Sequence, residues 1–152
     1  MRLTIKIMTI LAMMTSLIAC GGTEKPASDK TTPIAKSTAQ GDEMAARLKN
    51  GKKLYVIHCS ACHMPKGDGI PGLNPPLIDT DWVTGDKDRL IGIVLNGLQE
   101  EIEVNGQKYA GPMIGLPYLK DNEVADILTY VRDRFGKEAS AVSLEEVAKV
   151  RG

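Results

Sequence analysis

Apolar residues recur at helical spacing in three stretches between residues 42 and 136. Residues three and four positions apart share one face of a helix, so each stretch predicts an amphipathic helix with a buried side. The apolar positions are Met44, Leu48, Tyr55 and Val56 in the first, Leu90, Ile91, Val94 and Leu95 in the second, and Val124, Ile127, Leu128 and Val131 in the third. The pattern predicts a helical domain over residues 42–136.

Polar residues mark the ends of these helices. Asp42 is predicted to cap the first and Asp86 the second, while Asp121 or Asn122 begins the third and Gly136 ends it. The first helix also contains a glycine, Gly51, which weakens a helix interior. A small residue there predicts that another helix approaches closely, and the third helix is the best partner.

The first nineteen residues have the pattern of an export signal. Arg2 and Lys6 precede an apolar run from Ile7 to Ala19, which is short for a membrane span. The ending Leu-Ile-Ala-Cys resembles a bacterial lipobox, and this resemblance implies cleavage before Cys20 and a lipid on its sulfur. An ordinary signal peptide with an incidental cysteine is the alternative. Gly21, in place of the aspartate that retains lipoproteins at the inner membrane, favours a periplasmic protein on the outer membrane.

Residues 20–41 are small, polar and proline-containing, without apolar periodicity. They are predicted to form a flexible tether with an r.m.s. reach of roughly 25 Å. The predicted organisation is therefore a signal peptide (1–19), a lipid-anchored tether (20–41), a folded domain (42–136) and a tail (137–152). In the tail, Ser143 and Glu146 have the spacing of a capping box, which predicts a short helix that docks on the domain or a partner, or frays.

The chemistry of the chain is concentrated in the sequence Cys-Ser-Ala-Cys-His at residues 59–63. Two cysteines three apart, followed at once by histidine, suit covalent attachment of a haem, with His63 beneath the iron. A thiol oxidoreductase also uses Cys-x-x-Cys, but no strand pattern precedes Cys59. A zinc site needs four converging ligands, which these neighbours are too cramped to supply. One motif predicts one haem c.

Charge and cysteine content agree with an exported haem protein. The chain has 19 basic and 19 acidic residues, and loss of Arg2 and Lys6 with the signal leaves 17 against 19, a net charge of −2. Nothing in this balance indicates nucleic acid. Of the three cysteines, Cys20 is assigned to lipid and two to haem.

Elimination identifies the second axial ligand as Met113. Four of the seven methionines leave with the signal, Met64 adjoins His63, and Met44 precedes the attachment motif. The Asn105-Gly106 pair before Met113 predicts a two-residue β-hairpin. A thioether within the core is the alternative interpretation of Met113.

Residues 42–136 are similar to the class I cytochromes c, a resemblance carried by the Cys-x-x-Cys-His motif and by Gly51, Tyr55, Ile127 and Tyr130. It implies an all-α fold in which crossed N- and C-terminal helices wrap one covalent haem. It also implies that a proline carbonyl, here that of Pro75 or Pro76, orients His63.

The segment before Met113 and the tail are similar to cytochromes c that serve periplasmic dehydrogenases. The chain departs from the family after Met113, where Ile114 stands in place of the common proline. Trp82 is predicted either to pack on the haem edge with its N–H near a propionate, or to be a half-buried core residue that finds another acceptor.

With His63 and Met113 both on iron, no position is open for substrate, so the predicted function is one-electron transfer between redox proteins rather than catalysis. A haem-based sensor with a labile Met113, a dedicated subunit of a dehydrogenase or reductase complex, and a thiol–disulfide catalyst without haem are the alternatives.

Overall fold

The computed structural model describes residues 34–152. The signal peptide, Cys20 and the first part of the tether lie outside this range. None of the helices within it is both long and apolar enough to span a membrane. The elements in chain order are α1 (Ile34–His58), α2 (Ser60–His63), α3 (Asp81–Thr84), α4 (Lys87–Asn96), β1 (Gly97–Leu98), β2 (Ile102–Val104), β3 (Gln107–Tyr109), β4 (Met113–Ile114), α5 (Asp121–Phe135) and α6 (Leu144–Arg151).

Helices α1 and α5 cross at Gly51, as the sequence predicts. A Cβ atom at this position would overlap the carbonyl oxygen of Asp126 and lie 2.8 Å from the Cβ of Tyr130. Arg47 strengthens the crossing, because its Nε donates to a carboxylate oxygen of Asp126 at 2.8 Å. The absence of a side chain at Gly51 therefore lets the two backbones touch.

Helix α1 begins at Ile34, eight residues before the predicted domain boundary. The prediction of Asp42 as its N-cap is wrong, since Asp42 lies inside the helix, and the predicted tether loses its last eight residues to α1. The physical reason is that this stretch, Ile-Ala-Lys-Ser-Thr-Ala-Gln-Gly, contains no proline, and that Ala35, Lys36, Ala39 and Gln40 are good helix formers. Once the downstream part of α1 is packed, each added residue gains a hydrogen bond without a new nucleation step.

Helix α4 matches its prediction closely. A carboxylate oxygen of Asp86 accepts a hydrogen bond from the backbone N–H of Arg89 at 2.7 Å, which caps the first turn. All four apolar positions expected to face the core are buried, namely Leu90, Ile91, Val94 and Leu95. They join Tyr55 of α1 and the buried face of α5 in one cluster.

Two small antiparallel ladders follow α4. In the first, β2 pairs with β3 so that Ile102 faces Tyr109 across the predicted Asn105-Gly106 turn. Both turn residues have positive φ, 51° and 78°, as a type I′ turn requires. In the second ladder β1 pairs with β4, with Leu98 opposite Met113. The hairpin is confirmed, and the second ladder fixes the backbone of Met113.

The tail docks on the domain instead of fraying. Ser143 and Glu146 form the predicted capping box, with the Ser143 N–H donating to a Glu146 carboxylate oxygen at 2.7 Å. Val142 and Val147 are fully buried within the main core. The core therefore extends past residue 136, where the sequence pattern placed the end of the domain.

Buried Arg132 joins three parts of the fold. Its Nε donates to the carbonyl oxygen of Ser140 in the tail at 2.7 Å. Its two terminal nitrogens donate to carbonyl oxygens at the end of α3, those of Val83, Thr84 and Gly85. Burial lowers the pKa of this guanidinium from its ordinary value, and the nearby Glu146 carboxylate opposes that shift. These bonds fix the position of α3 relative to α5.

Candidate haem-binding site

The Cys-x-x-Cys-His segment forms a turn that continues from α1. The backbone N–H of Cys59 donates to the carbonyl of Tyr55 at 2.9 Å, and that of His63 donates to the carbonyl of Cys59 at 2.9 Å. Cys62 is exposed and Cys59 is partly buried. The turn therefore brings both sulfurs and the imidazole to one end of α1.

These three side chains line a cavity of about 450 Å³ that also contains Met113 in its wall. Most of the wall is apolar, and among the described residues that line it Glu100 is the only acidic or basic one apart from two histidines. The volume falls in the range of about 300–1,000 Å³ found for small-molecule and cofactor sites. An apolar cavity with two thiols, an imidazole and a thioether suits a haem held by two thioether bonds.

His63 is oriented by the backbone of the following loop. Its Nδ1 lies 3.1 Å from the carbonyl oxygen of Pro75, which can only accept, so Nδ1 carries the proton and Nε2 has a free lone pair. Burial lowers the pKa of His63, and the bond to Pro75 partly offsets this effect. Because burial is the larger effect, the ring is neutral and suited to bind a metal, and Pro75 rather than Pro76 is the acceptor.

Met113 is placed by the short ladder between β1 and β4. It is half-buried against the core. Its carbonyl oxygen accepts a hydrogen bond from Gln99 at 3.4 Å. Gly97, which pairs with Ile114 in this ladder, has a φ of 81°, and a Cβ there would overlap the Met113 carbonyl. The glycine thus allows the close approach that holds Met113 at the cavity wall.

Trp82 lines the same cavity, but its indole N–H is engaged elsewhere. It donates to the carbonyl oxygen of Glu103 in the hairpin at 3.0 Å, and the guanidinium of Arg89 lies 4.5 Å from the ring centre. Of the two predictions for this residue, the half-buried side chain whose N–H finds another acceptor agrees with the structure. The prediction of an N–H near a propionate does not agree, because a backbone carbonyl already accepts it.

Tyr118 is a residue at the cavity that the sequence pattern did not single out. Its ring meets that of His58 edge to face, with centroids 6.1 Å apart, and both side chains line the cavity. Tyr118 is 68% exposed, so it forms part of the rim. The only sequence signal was an aromatic residue five positions after the candidate ligand.

The burial of Cys59 disfavours the thiol–disulfide alternative. Burial, with a smaller contribution from Cys62, raises the pKa of the Cys59 thiol to about 12. Thiolate is the reactive form, and catalytic cysteines have lowered pKa values. A thiol with a raised pKa is poorly suited to redox exchange.

Comparison with known proteins agrees with the geometry. The family described as "Cytochrome c" matches residues 48–134. The chain is 37% identical over 117 residues to "Cytochrome c-552" of Thermus thermophilus, covering 71% of this chain and 78% of that protein. It is 30% identical over 130 residues to the cytochrome c subunit of a quinone alcohol dehydrogenase from Gluconobacter oxydans, and 31% identical over 125 residues to the gluconate 2-dehydrogenase cytochrome c subunit of Pantoea cypripedii.

The two kinds of relative differ in coverage. The match spans 78% of the first of these relatives but only 27% and 26% of the two dehydrogenase subunits. The match to the family includes Cys59, Cys62 and the crossing of α1 with α5. We conclude that the chain belongs to the cytochrome c family of electron carriers, which bind haem c covalently.

Proposed function

We propose that this protein is a periplasmic, membrane-anchored cytochrome that carries single electrons, with His63 and Met113 as the axial ligands of one haem iron. The observation that carries the proposal is that both side chains line the cavity that also contains the two motif cysteines. When bound, the haem supplies a reversible one-electron change at iron. Histidine and methionine ligands would fill both axial positions and leave none for a substrate.

The protein's own residues explain how such a change can occur with little rearrangement. Pro75 fixes the His63 ring through Nδ1, and the β1–β4 ladder fixes the backbone of Met113. The apolar wall excludes water, which lowers the local dielectric constant around the site. A rigid, dry pocket with a thioether ligand favours the reduced state and a raised potential.

The ligand assignment is tested by the visible spectrum of the haem-loaded protein and of Met113→Ala. We expect the wild type to be low-spin, with the far-red charge-transfer band of methionine bound to ferric iron. The band should disappear in Met113→Ala, and the reduced variant should bind carbon monoxide. Met44→Ala, at the methionine of α1, is the control and should keep the band. Ready binding of carbon monoxide by the wild type would instead support the sensor alternative.

The rim of the cavity is the proposed exit for the electron. Ile114, next to Met113, is 79% exposed and Tyr118 is 68% exposed, so a partner protein can reach this edge without opening the fold. The partners would be redox proteins that give and take one electron through a small, transient interface. A periplasmic dehydrogenase or a terminal reductase fits this description.

A dedicated subunit of a larger complex is the second candidate. The observation that favours it is the similarity to two proteins named as cytochrome c subunits of dehydrogenases. Tagged protein isolated from its own membranes distinguishes the two. A stoichiometric dehydrogenase or reductase partner that resists salt washing indicates a subunit, whereas the cytochrome alone indicates a free carrier.

The membrane anchor is proposed from the lipobox resemblance at Cys20. We expect the full-length protein to fractionate with membranes, with the outer membrane favoured, and to carry acyl chains detectable by mass spectrometry of its N-terminal peptide. Cys20→Ala should lose the acyl chains while the haem spectrum is unchanged. An unacylated wild-type N-terminus would instead indicate an ordinary signal peptide.

A further inference from the structure

The backbone directly after His63 is in an unfavourable conformation. Met64 has φ 65° and ψ 154°, a combination that only glycine adopts readily. Such a conformation persists only where the surrounding contacts hold it in place. Because Met64 is bonded directly to His63, whatever holds this peptide also restrains the imidazole.

One side chain and two backbone groups restrain this segment. The hydroxyl of Tyr55 donates to the carbonyl oxygen of Met64 at 2.7 Å, and the N–H of Gly67 donates to the same oxygen at 3.0 Å. The preceding carbonyl, that of His63, accepts from the N–H of Gly69 at 3.1 Å. Tyr55 therefore supplies a side-chain bond to the strained peptide.

Tyr55 is itself held rigidly. Its side chain is fully buried, and its ring centre lies 5.6 Å from that of Tyr130 and 5.4 Å from that of Phe135. Burial raises the pKa of Tyr55 above its ordinary value, so its hydroxyl stays protonated and remains a donor. The hydrogen bond thus connects the helix crossing to the peptide that follows the candidate ligand.

We propose that Tyr55 is a positioning residue for His63, and that its hydroxyl sets the orientation of the imidazole plane by holding Met64 in its strained conformation. Pro75 fixes one point of the ring, at Nδ1, and the Met64 peptide fixes the backbone from which the ring projects. Without the hydroxyl, the peptide relaxes and the ring turns about its bond to Pro75. This inference rests on the proposed role of His63 as an axial ligand.

The test compares haem-loaded wild type with Tyr55→Phe, which removes one oxygen and keeps the ring. The positions of the haem methyl signals in proton NMR of the oxidised protein depend on the orientation of the axial imidazole. We expect these signals, and the midpoint potential, to shift in Tyr55→Phe. Tyr130→Phe changes the same aromatic cluster and is the matched control; its signals should coincide with those of the wild type.

A second variant tests whether the strain at Met64 is the link. Glycine adopts this φ and ψ without strain. In a Met64→Gly background the peptide therefore depends less on the Tyr55 hydroxyl to keep its conformation. We expect the shift caused by Tyr55→Phe to be smaller there than in the wild-type background, as a double-mutant cycle would show. If Tyr55→Phe does not fold in the wild-type background, the double variant is compared with Met64→Gly alone. If neither Tyr55→Phe nor the double variant folds, the proposal is contradicted.

Three further results have distinct meanings. If Tyr55→Phe melts at lower temperature but keeps the wild-type methyl signals and potential, Tyr55 is merely structural and the proposal is wrong. An equal shift in both backgrounds also contradicts it. If the wild type itself lacks a low-spin, histidine-bound iron, the proposed function fails, and the positioning role of Tyr55 fails with it.

Discussion

Gly51 shows how one residue can determine the contact between two helices. Its missing side chain leaves room for the backbone of Asp126, and Arg47, one turn earlier, pairs with the Asp126 carboxylate at 2.8 Å. That carboxylate also accepts from Asn50 at 2.9 Å. The contact is thus held by backbone proximity at Gly51 and by two polar bonds from nearby residues of α1 to the Asp126 carboxylate.

A methyl group at Gly51 is expected to force α1 and α5 apart. We predict that Gly51→Ala lowers the free energy of unfolding by about 1–3 kcal/mol, as overpacking does in other cores. Gly41 is the matched control in the same helix, since a Cβ there meets nothing within 4 Å. Gly41→Ala should stabilise the protein by about 0.5–1 kcal/mol. Urea unfolding of both variants measures the difference, and equal effects would contradict this account.

At the scale of elements, α6 behaves as part of the domain. Glu146 forms the capping box with Ser143 and also accepts from the Lys87 ammonium of α4 at 2.9 Å. Lys149 reaches Asp88 of α4 at 2.7 Å, and Arg151 donates to the carbonyl of Leu119 before α5. Several polar bonds around the buried Val147 therefore join α6 to α4 and to the segment just before α5.

The docking of α6 is expected to weaken in acid. The Ser143 N–H and then Lys87 lower the pKa of Glu146 below its ordinary 4.5, against an opposing effect of burial. Because the folded pKa lies below the unfolded value, this stabilisation is present above pH 4.5 and is lost as the pH falls through the folded pKa.

The measurement compares wild type with Glu146→Gln by urea unfolding. We predict that the variant is less stable by about 0.5–1 kcal/mol near neutral pH, and that the two proteins converge once the pH has fallen below the folded pKa of Glu146. Glu43→Gln, an exposed change on α1, should show no such convergence. A pH-independent difference for Glu146→Gln would mean that ionisation of this carboxylate does not contribute.

At the scale of the whole molecule, one face of the cavity is open to partners. Ile114 and Tyr118 project from the loop that carries Met113, and the nearby wall is almost without charge. Leu144 is also exposed, at 50%, but it begins α6 and does not line the cavity. A lysine at Ile114 lies at the cavity rim, whereas a lysine at Leu144 lies away from it. Comparing the two substitutions therefore separates an effect on docking at the rim from a general effect of surface charge.

Electron self-exchange between two copies of the protein tests whether electrons leave through the cavity rim, and it needs no known partner. In Ile114→Lys, two like charges meet across the contact, which costs about 1 kcal/mol at close range in water and should slow exchange about fivefold. Line broadening in mixtures of oxidised and reduced protein measures the rate. Leu144→Lys should leave it near the wild-type value, whereas equal slowing in both variants would exclude a specific exit at the rim.

Features with local signals were predicted well from the sequence. The Asn105-Gly106 hairpin, the Asp86 cap and the close approach at Gly51 each depend on residues whose conformational or steric properties are intrinsic. The start of α1 was missed because helix propagation depends on packing farther along the chain. The positions of Arg132 and Tyr118 depend on elements distant in sequence, which periodicity cannot bring together.

The contact between α1 and α5 also constrains the order in which the protein can form. Arg47 and Asp126 are 79 residues apart, so closing this contact encloses most of the residues that line the cavity within one long loop. Loop closure of this length costs entropy before the buried contacts repay it, and such contacts slow folding. If the protein is exported unfolded through a secretion channel, as the proposed signal peptide implies, α1 lacks its partner helix until residue 135 has passed. Closure of the cavity would then wait until nearly the entire chain has crossed the membrane.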